Sequence, residues 1–185
     1  MGNAERQARK AYDEEALPVS EPERRAIAIH EAAHAVVAVK LGFCIKTISI
    51  VAGEGRTVFR RNPLRGINID DCEVTDRAHR QIEKFILATL AGPAAHAIAA
   101  PDLWNPEQGG HHFGRGDYDI ANDLVSKLNG FPAATESAHR IFLEVAAKDL
   151  VERHRGVIEK VAAALLEKET LDETQLCETM RDNAK

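Results

Sequence analysis

His30 and His34 stand four residues apart, in the run His30-Glu31-Ala32-Ala33-His34. In a helix, positions i and i+4 share a face, so both imidazoles can reach one metal ion. Glu31 lies beside them, close enough to handle a metal-bound water without being a ligand itself. The spacing is HExxH, and its chemistry is hydrolytic. Zinc brings the pKa of a bound water toward ~7, a carboxylate takes the proton, and the hydroxide attacks a carbonyl that zinc polarises. The plainer alternative is a pair of core histidines and an incidental glutamate. That would bury three polar side chains on an apolar helix without partners, at a cost of several kcal/mol. A metal removes that cost.

Catalytic zinc normally has a third protein ligand and an open position. Candidates lie at 107–123. Asp117, Ala121, Leu124 and Leu128 fall on one helical face, while Asp119 and Asp123 fall on the polar side with Ser126. A carboxylate on the inward stripe of a helix start needs a partner, and zinc is one. A plain N-cap is the other, because an acceptor oxygen suits a helix start anyway. Spacing alone leaves both open.

These residues need a scaffold, and its elements are readable. Ser20-Glu21-Pro22-Glu23 is a capping box with proline in the first turn, so a helix starts there. It runs through AIAIHEAAHAVVAVKL and stops at Gly42; apolar around most of its circumference, it must be buried. Ile45–Val51 is β-branched and reads as a strand, Gly53-Glu54-Gly55 as a turn and Arg56–Arg60 as a weaker returning strand. A second long helix starts near Thr75 and carries Ile82, Phe85, Ile86, Leu90 and Ala94 at helical spacing, with Pro93 expected to bend it. Residues 100–116, rich in proline and glycine, read as loop. A short helix follows at about 117–128, then helices at roughly 133–152 and 155–168, and a last short element from Thr170-Leu171-Asp172. The class is mainly α with a small β-sheet.

Composition bounds the rest. The chain has 185 residues, 44% hydrophobic and 29% charged, an ordinary balance for one globular domain with a core of its own. The formal charge of −5 argues against a dedicated nucleic-acid binder, and the basic residues Arg60, Arg61, Arg65, Arg77 and Arg80 read as solvated surface. Cys44, Cys72 and Cys177 are odd in number and widely spaced, which fits neither a disulfide framework nor a Cys-rich zinc site. With no signal-like start and no apolar run of membrane-spanning length, the expected setting is cytoplasmic, away from membranes.

The chain resembles the peptidase domain of FtsH-type ATP-dependent zinc metalloproteases. HEAAHAVVA at 30–38 is similar to the family's HEAGHAxVA, and IKTISIVAGEG at 45–55 to the strand after the metal helix. LAGPAAHAI at 90–98 resembles LAGRAAEEI, GDYDIANDL at 116–124 resembles NDLxxATxLA, and ALLEKETLDETQL at 164–176 closely resembles ALLEKETLDGxEL. The likeness spans 24–178, in family order. It implies a helical zincin with a short β-hairpin after the metal helix. It implies Zn2+ held by His30, His34 and Asp117, with Asp119 the runner-up ligand, and Glu31 as catalytic base. It implies a zinc-dependent endopeptidase at 21–180 between polar tails at 1–20 and 181–185.

The departures are equally specific. Ala33 replaces the motif's usual glycine, and Pro93, His96 and Ala97 replace an arginine and two glutamates. His96 is expected as a partly buried or surface histidine, with metal ligation the lesser alternative. In GGHHFGRG at 109–116, His111 and His112 suggest either an exposed loop or a lip of the site; Trp104 and Phe113 either line a cleft or anchor that loop. The family's companion ATPase motif GxxxxGK[ST] is absent from this sequence, which holds no Gly-Lys pair. Expected substrates are therefore peptides, flexible segments or unfolded chains, unless a separate ATPase or adaptor delivers others. A zinc-stabilised interaction module without catalysis is the competing class. A strand edge at 45–51 could hold an extended peptide by β-addition; an ordinary two-stranded hairpin is the equal alternative.

Overall fold

The computed structural model describes residues 19–51, 54–69, 75–99, 101, 115–128 and 133–181. Helix α1 (Glu21–Lys40) opens on the expected capping box: the Ser20 side chain accepts from the Glu23 amide while the Glu23 carboxylate accepts from the Ser20 amide. It closes on a Schellman turn. Phe43 N–H bonds to Ala38 C=O at 2.9 Å and Gly42 N–H to Val39 C=O at 3.0 Å, with Gly42 at φ +93°. Every residue from Ala26 to Ala38 is buried. The helix is thus the axis of the molecule, and its alanines let neighbours come close.

Strands β1 (Ile45–Val51) and β2 (Glu54–Phe59) pair antiparallel, as the sequence predicts. The helices that follow stand where the spacing places them, and the departure comes after the last of them. Helices α2 (Asp76–Ala99), α3 (Arg115–Lys127), α4 (Ala133–Arg153) and α5 (Arg155–Lys168) are followed by a third strand, β3 (Thr170–Asp172), before α6 (Glu173–Arg181). β3 pairs with Thr47–Ser49, so the sheet order is β2-β1-β3 and the hairpin is a three-stranded sheet. β1 is the central strand, not an edge. Nothing local marks that pairing; what fixes it is Leu171, fully buried opposite Ile48. α2 continues unbroken through Pro93, whose missing N–H leaves the Thr89 carbonyl without its helical donor.

Two apolar clusters hold the elements. The first gathers α1, β1, α5, Leu171 and Leu176 with Ala88, Ala91 and Ala95 of α2 and Val151 of α4. The second gathers Ile82, Ile86 and Leu90 of α2 with Ala121, Leu124, Val125 and Leu128 at α3, and Leu143 and Ala147 of α4. α2 therefore joins both, with small residues toward α1 and large ones toward α3. The inward stripe expected for 117–128 is the stripe that packs there. Cys44 and Cys177 are free thiols. Among the described residues no helix is long and apolar enough to cross a membrane. Residues 1–18 of the expected tail, Cys72 and the loop residues Trp104, His111, His112 and Phe113 lie outside the described residues.

Candidate metal centre

His30 and His34 sit in the buried middle of α1, one turn apart, and Asp117 meets them from the first turn of α3. Asp117 Oδ2 lies 3.1 Å from His30 Nε2 and 3.3 Å from His34 Nε2, and the two Nε2 atoms are 2.9 Å apart. Donor atoms ~2.0–2.2 Å from one tetrahedral ion stand ~3.3 Å from each other. The three atoms form nearly that triangle, and the group could hold a metal ion. α3 begins at Arg115, so Asp117 is inside the first turn and is not an N-cap; its carboxylate goes to the histidines. Asp119 is exposed and outside the group.

The tautomer of His34 follows from its other nitrogen. Nδ1 lies 2.8 Å from the Ala88 carbonyl, which only accepts, so Nδ1 carries the proton. In the neutral ring the Nε2 lone pair then faces the cluster, as metal-binding imidazoles with an oriented second nitrogen do. Lone pairs on Nε2 and on a carboxylate oxygen at such distances repel unless a cation or a proton lies among them. This chemistry fits a metal.

Charge balance in the ion-free cluster reflects the same crowding. Burial lowers His30, and the opposing pull of Asp117 does not overcome it. Burial also acts to lower His34, but the hydrogen bond and charge of Asp117 raise it to about 9. Burial acts to raise Asp117, yet the hydrogen bonds from His30 and His34 hold its carboxyl well below the ordinary range. One proton therefore resides on His34, against an ionised Asp117.

Glu31 is buried beside this cluster, 6% exposed. Its carboxylate does not bond to the histidines. Thr57 Oγ1 of β2 donates to Glu31 Oε2 at 2.7 Å. At Gly55, two residues back on the same face of the strand, a Cβ would stand 2.4 Å from Glu31 Oε1. Gly92 plays the corresponding part on α2: a Cβ there would be 2.3 Å from His34 Nε2 and 2.6 Å from His30 Nε2. α2 crosses α1 at the histidines only because Gly92 has no side chain.

Gly55, Thr57 and Gly92 were not among the residues that spacing singled out. Gly92 had one signal, its place in LAG between two apolar stripes. The sequence pattern puts Gly55 in a turn and Thr57 in a weak strand, whereas both lie in β2. His96 corrects an expectation: it is neither at the surface nor half-exposed but 3% exposed, edge-on to His30 with ring centroids 6.3 Å apart. Burial, then the charge of His30, lower it to about 4. It stands outside the His30–His34–Asp117 group. No protein-family model matches the chain, and no curated protein sequence matches it.

Proposed function

We propose that this chain is a zinc-dependent endopeptidase of the FtsH-like kind, acting on unfolded or flexible polypeptide. The observation that carries the reading is the pairing of a buried carboxylate outside the donor set, Glu31, with a converging His30–His34–Asp117 group. A site meant only to hold structure has no use for that carboxylate. His30, His34 and Asp117 would hold the ion, two imidazoles and one carboxylate, a donor set suited to zinc. When bound, zinc supplies a Lewis acid for the scissile carbonyl and acidifies water. Glu31 accepts the proton of the attacking water and hands it to the amine nitrogen as the C–N bond breaks. Asp117 keeps the donor set anionic, and the Ala88 carbonyl keeps His34 in its orientation.

The sheet supports an extended substrate, at a different strand from the one expected. Ile50 N–H bonds to the Glu169 carbonyl at 2.9 Å, so Ile50 turns its backbone groups to the β3 side. Ser49 then faces β2, where Arg56 is opposite it. Gly55 and Thr57 consequently point N–H and C=O to the open side of β2, which among the described residues has no neighbour there. That edge can add a strand, whatever its sequence, provided the strand is already unfolded.

Metal analysis and cleavage of an unfolded protein such as casein test the reading, with Glu31→Gln as the comparison. Bound zinc, turnover by the wild type and loss of turnover in the variant are expected. Bound zinc with null turnover in both would leave a zinc-stabilised interaction module in its place.

A further inference from the structure

β2 reaches the metal centre at Glu31, with Gly55 and Thr57. Their side-chain positions lie on the sheet face that also carries buried Ile48 and Ile50, and this face looks onto α1. Thr57 gives its hydroxyl proton to Glu31 Oε2 at 2.7 Å; the Glu31 backbone carbonyl, 3.3 Å away, is the poorer acceptor. Gly55 leaves open the space that Oε1 occupies. Glu31 has three side-chain torsions, so a buried glutamate left unheld would sample several carboxylate positions.

We propose that Gly55-x-Thr57 is a clamp that positions Glu31 as the base and ties its placement to the strand that receives the substrate. The proposal rests on the peptidase reading. Thr57 fixes Oε2, and an oxygen that already accepts a hydrogen bond is the weaker base, so Oε1 takes the proton. Oε1 lies against Gly55, whose amide and carbonyl face the open edge of β2. The same two residues thus hold the base by one face and an extended chain by their backbone. A peptide that pairs with the edge is set in register against Oε1 without a separate contact. Thr57 is a positioning residue, and Gly55 acts by the absence of a side chain.

The test compares Thr57→Val, Thr57→Ser and Gly55→Ala in the zinc-loaded chain. Valine keeps the shape and strand preference of threonine and removes only the hydroxyl. Gly55 has an ordinary φ, so what alanine strains is its contact with the Glu31 side chain, at Oε1, Cδ and Cγ. With a quenched fluorescent unstructured peptide, Thr57→Val is expected to lower kcat by about 10- to 100-fold at unchanged KM, and Thr57→Ser to restore it to within about threefold. Gly55→Ala is expected to lower kcat at least as far, with zinc content unchanged. The second measurement needs no turnover. In 13C-glutamate-labelled protein at one fixed pH, the Glu31 side-chain carboxyl resonance, assigned with Glu31→Gln, should move in Thr57→Val and Gly55→Ala and stay in Thr57→Ser. Wild-type kcat and an unmoved resonance in Thr57→Val overturn the clamp and leave the peptidase reading intact. Resonances that move as expected in the variants, beside a wild type that cleaves nothing, overturn the peptidase reading and leave the hold of Gly55 and Thr57 on Glu31.

Discussion

His34 makes metal binding a proton-exchange reaction. Without an ion its pKa is raised to about 9, against burial, by the hydrogen bond and charge of Asp117. Zinc needs the Nε2 lone pair, so binding must expel that proton. Below about 9 the proton competes, and the apparent zinc affinity should rise as pH rises, about tenfold per unit between pH 6 and 8. Chelator competition across that range measures the slope; a flat profile would mean that no proton is displaced. Gly92 governs the same pair of rings sterically. A glycine inside a helix costs roughly 1 kcal/mol relative to alanine, so Gly92→Ala should favour the helix as such. Its methyl would nevertheless collide with both Nε2 atoms. The expected outcome is unchanged far-ultraviolet circular dichroism with zinc affinity reduced by about 100-fold or more, read by titration. Retention of full affinity would mean that α2 can step away from α1 at little cost.

At the scale of elements, the third donor is only as well placed as α3. That helix is held by Ala121, Leu124, Val125 and Leu128 against α2 and α4, with no part in the first core. Leu124→Ala should cost about 2–5 kcal/mol, as buried leucine truncations do. It should also weaken zinc more than Leu165→Ala, a truncation of similar size in α5 at the first core. Denaturant melts of the ion-free proteins calibrate the two, and chelator competition then separates them; equal losses of affinity would show that α3 does not set Asp117. The elements also divide by what a local pattern can carry. α1 was legible to its last residue, because a capping box, a run of small apolar residues and a glycine stop are all local. His30, Glu31 and His34 came with it. Asp117 was half-legible: its stripe with Ala121, Leu124 and Leu128 was in the sequence, but the choice between cap and ligand depended on where α3 begins. β3 was not legible, since three residues that pair across more than 120 positions leave no periodicity to read. The position of β1 in the sheet failed with it, and so did the identity of the open edge. Gly55, Thr57 and the burial of His96 were hidden for the same reason. Each follows from which elements meet, and that is settled by packing rather than by neighbours in the chain.

Among the described residues the molecule has two cores, joined through the chain by α2 and by α4, whose Val151 lies in the first and whose Leu143 and Ala147 lie in the second. The donor set spans them from the other side: His30 and His34 belong to α1 in the first core, and Asp117 to α3 in the second. A bound ion would therefore cross-link the two cores, and its loss should not be felt evenly. At a free zinc concentration 100 times Kd the folded state gains about 2.7 kcal/mol, roughly 5–11 °C of Tm for a chain of this size. Chelation should remove that gain, and Asp117→Ala should abolish most of the response to added zinc. Hydrogen exchange should locate the change. Amides of α3 (Arg115–Lys127) are expected to lose protection first and most when zinc is stripped. Amides of α5, in the far half of the first core, should change only with global stability. A uniform loss of protection through α3 and α5 would mean that α2 and α4 already couple the cores into one unit and that the ion adds stability without joining them. The cross-linking account is favoured by the acid and the histidines standing on helices that share no apolar cluster. In the ion-free chain a proton on His34 Nε2 adds to the packing of α3 in holding Asp117 beside the histidines, and raising the pH through about 9 withdraws it. The ion-free protein should thus lose α3 protection on that rise, while the zinc-loaded protein should keep it.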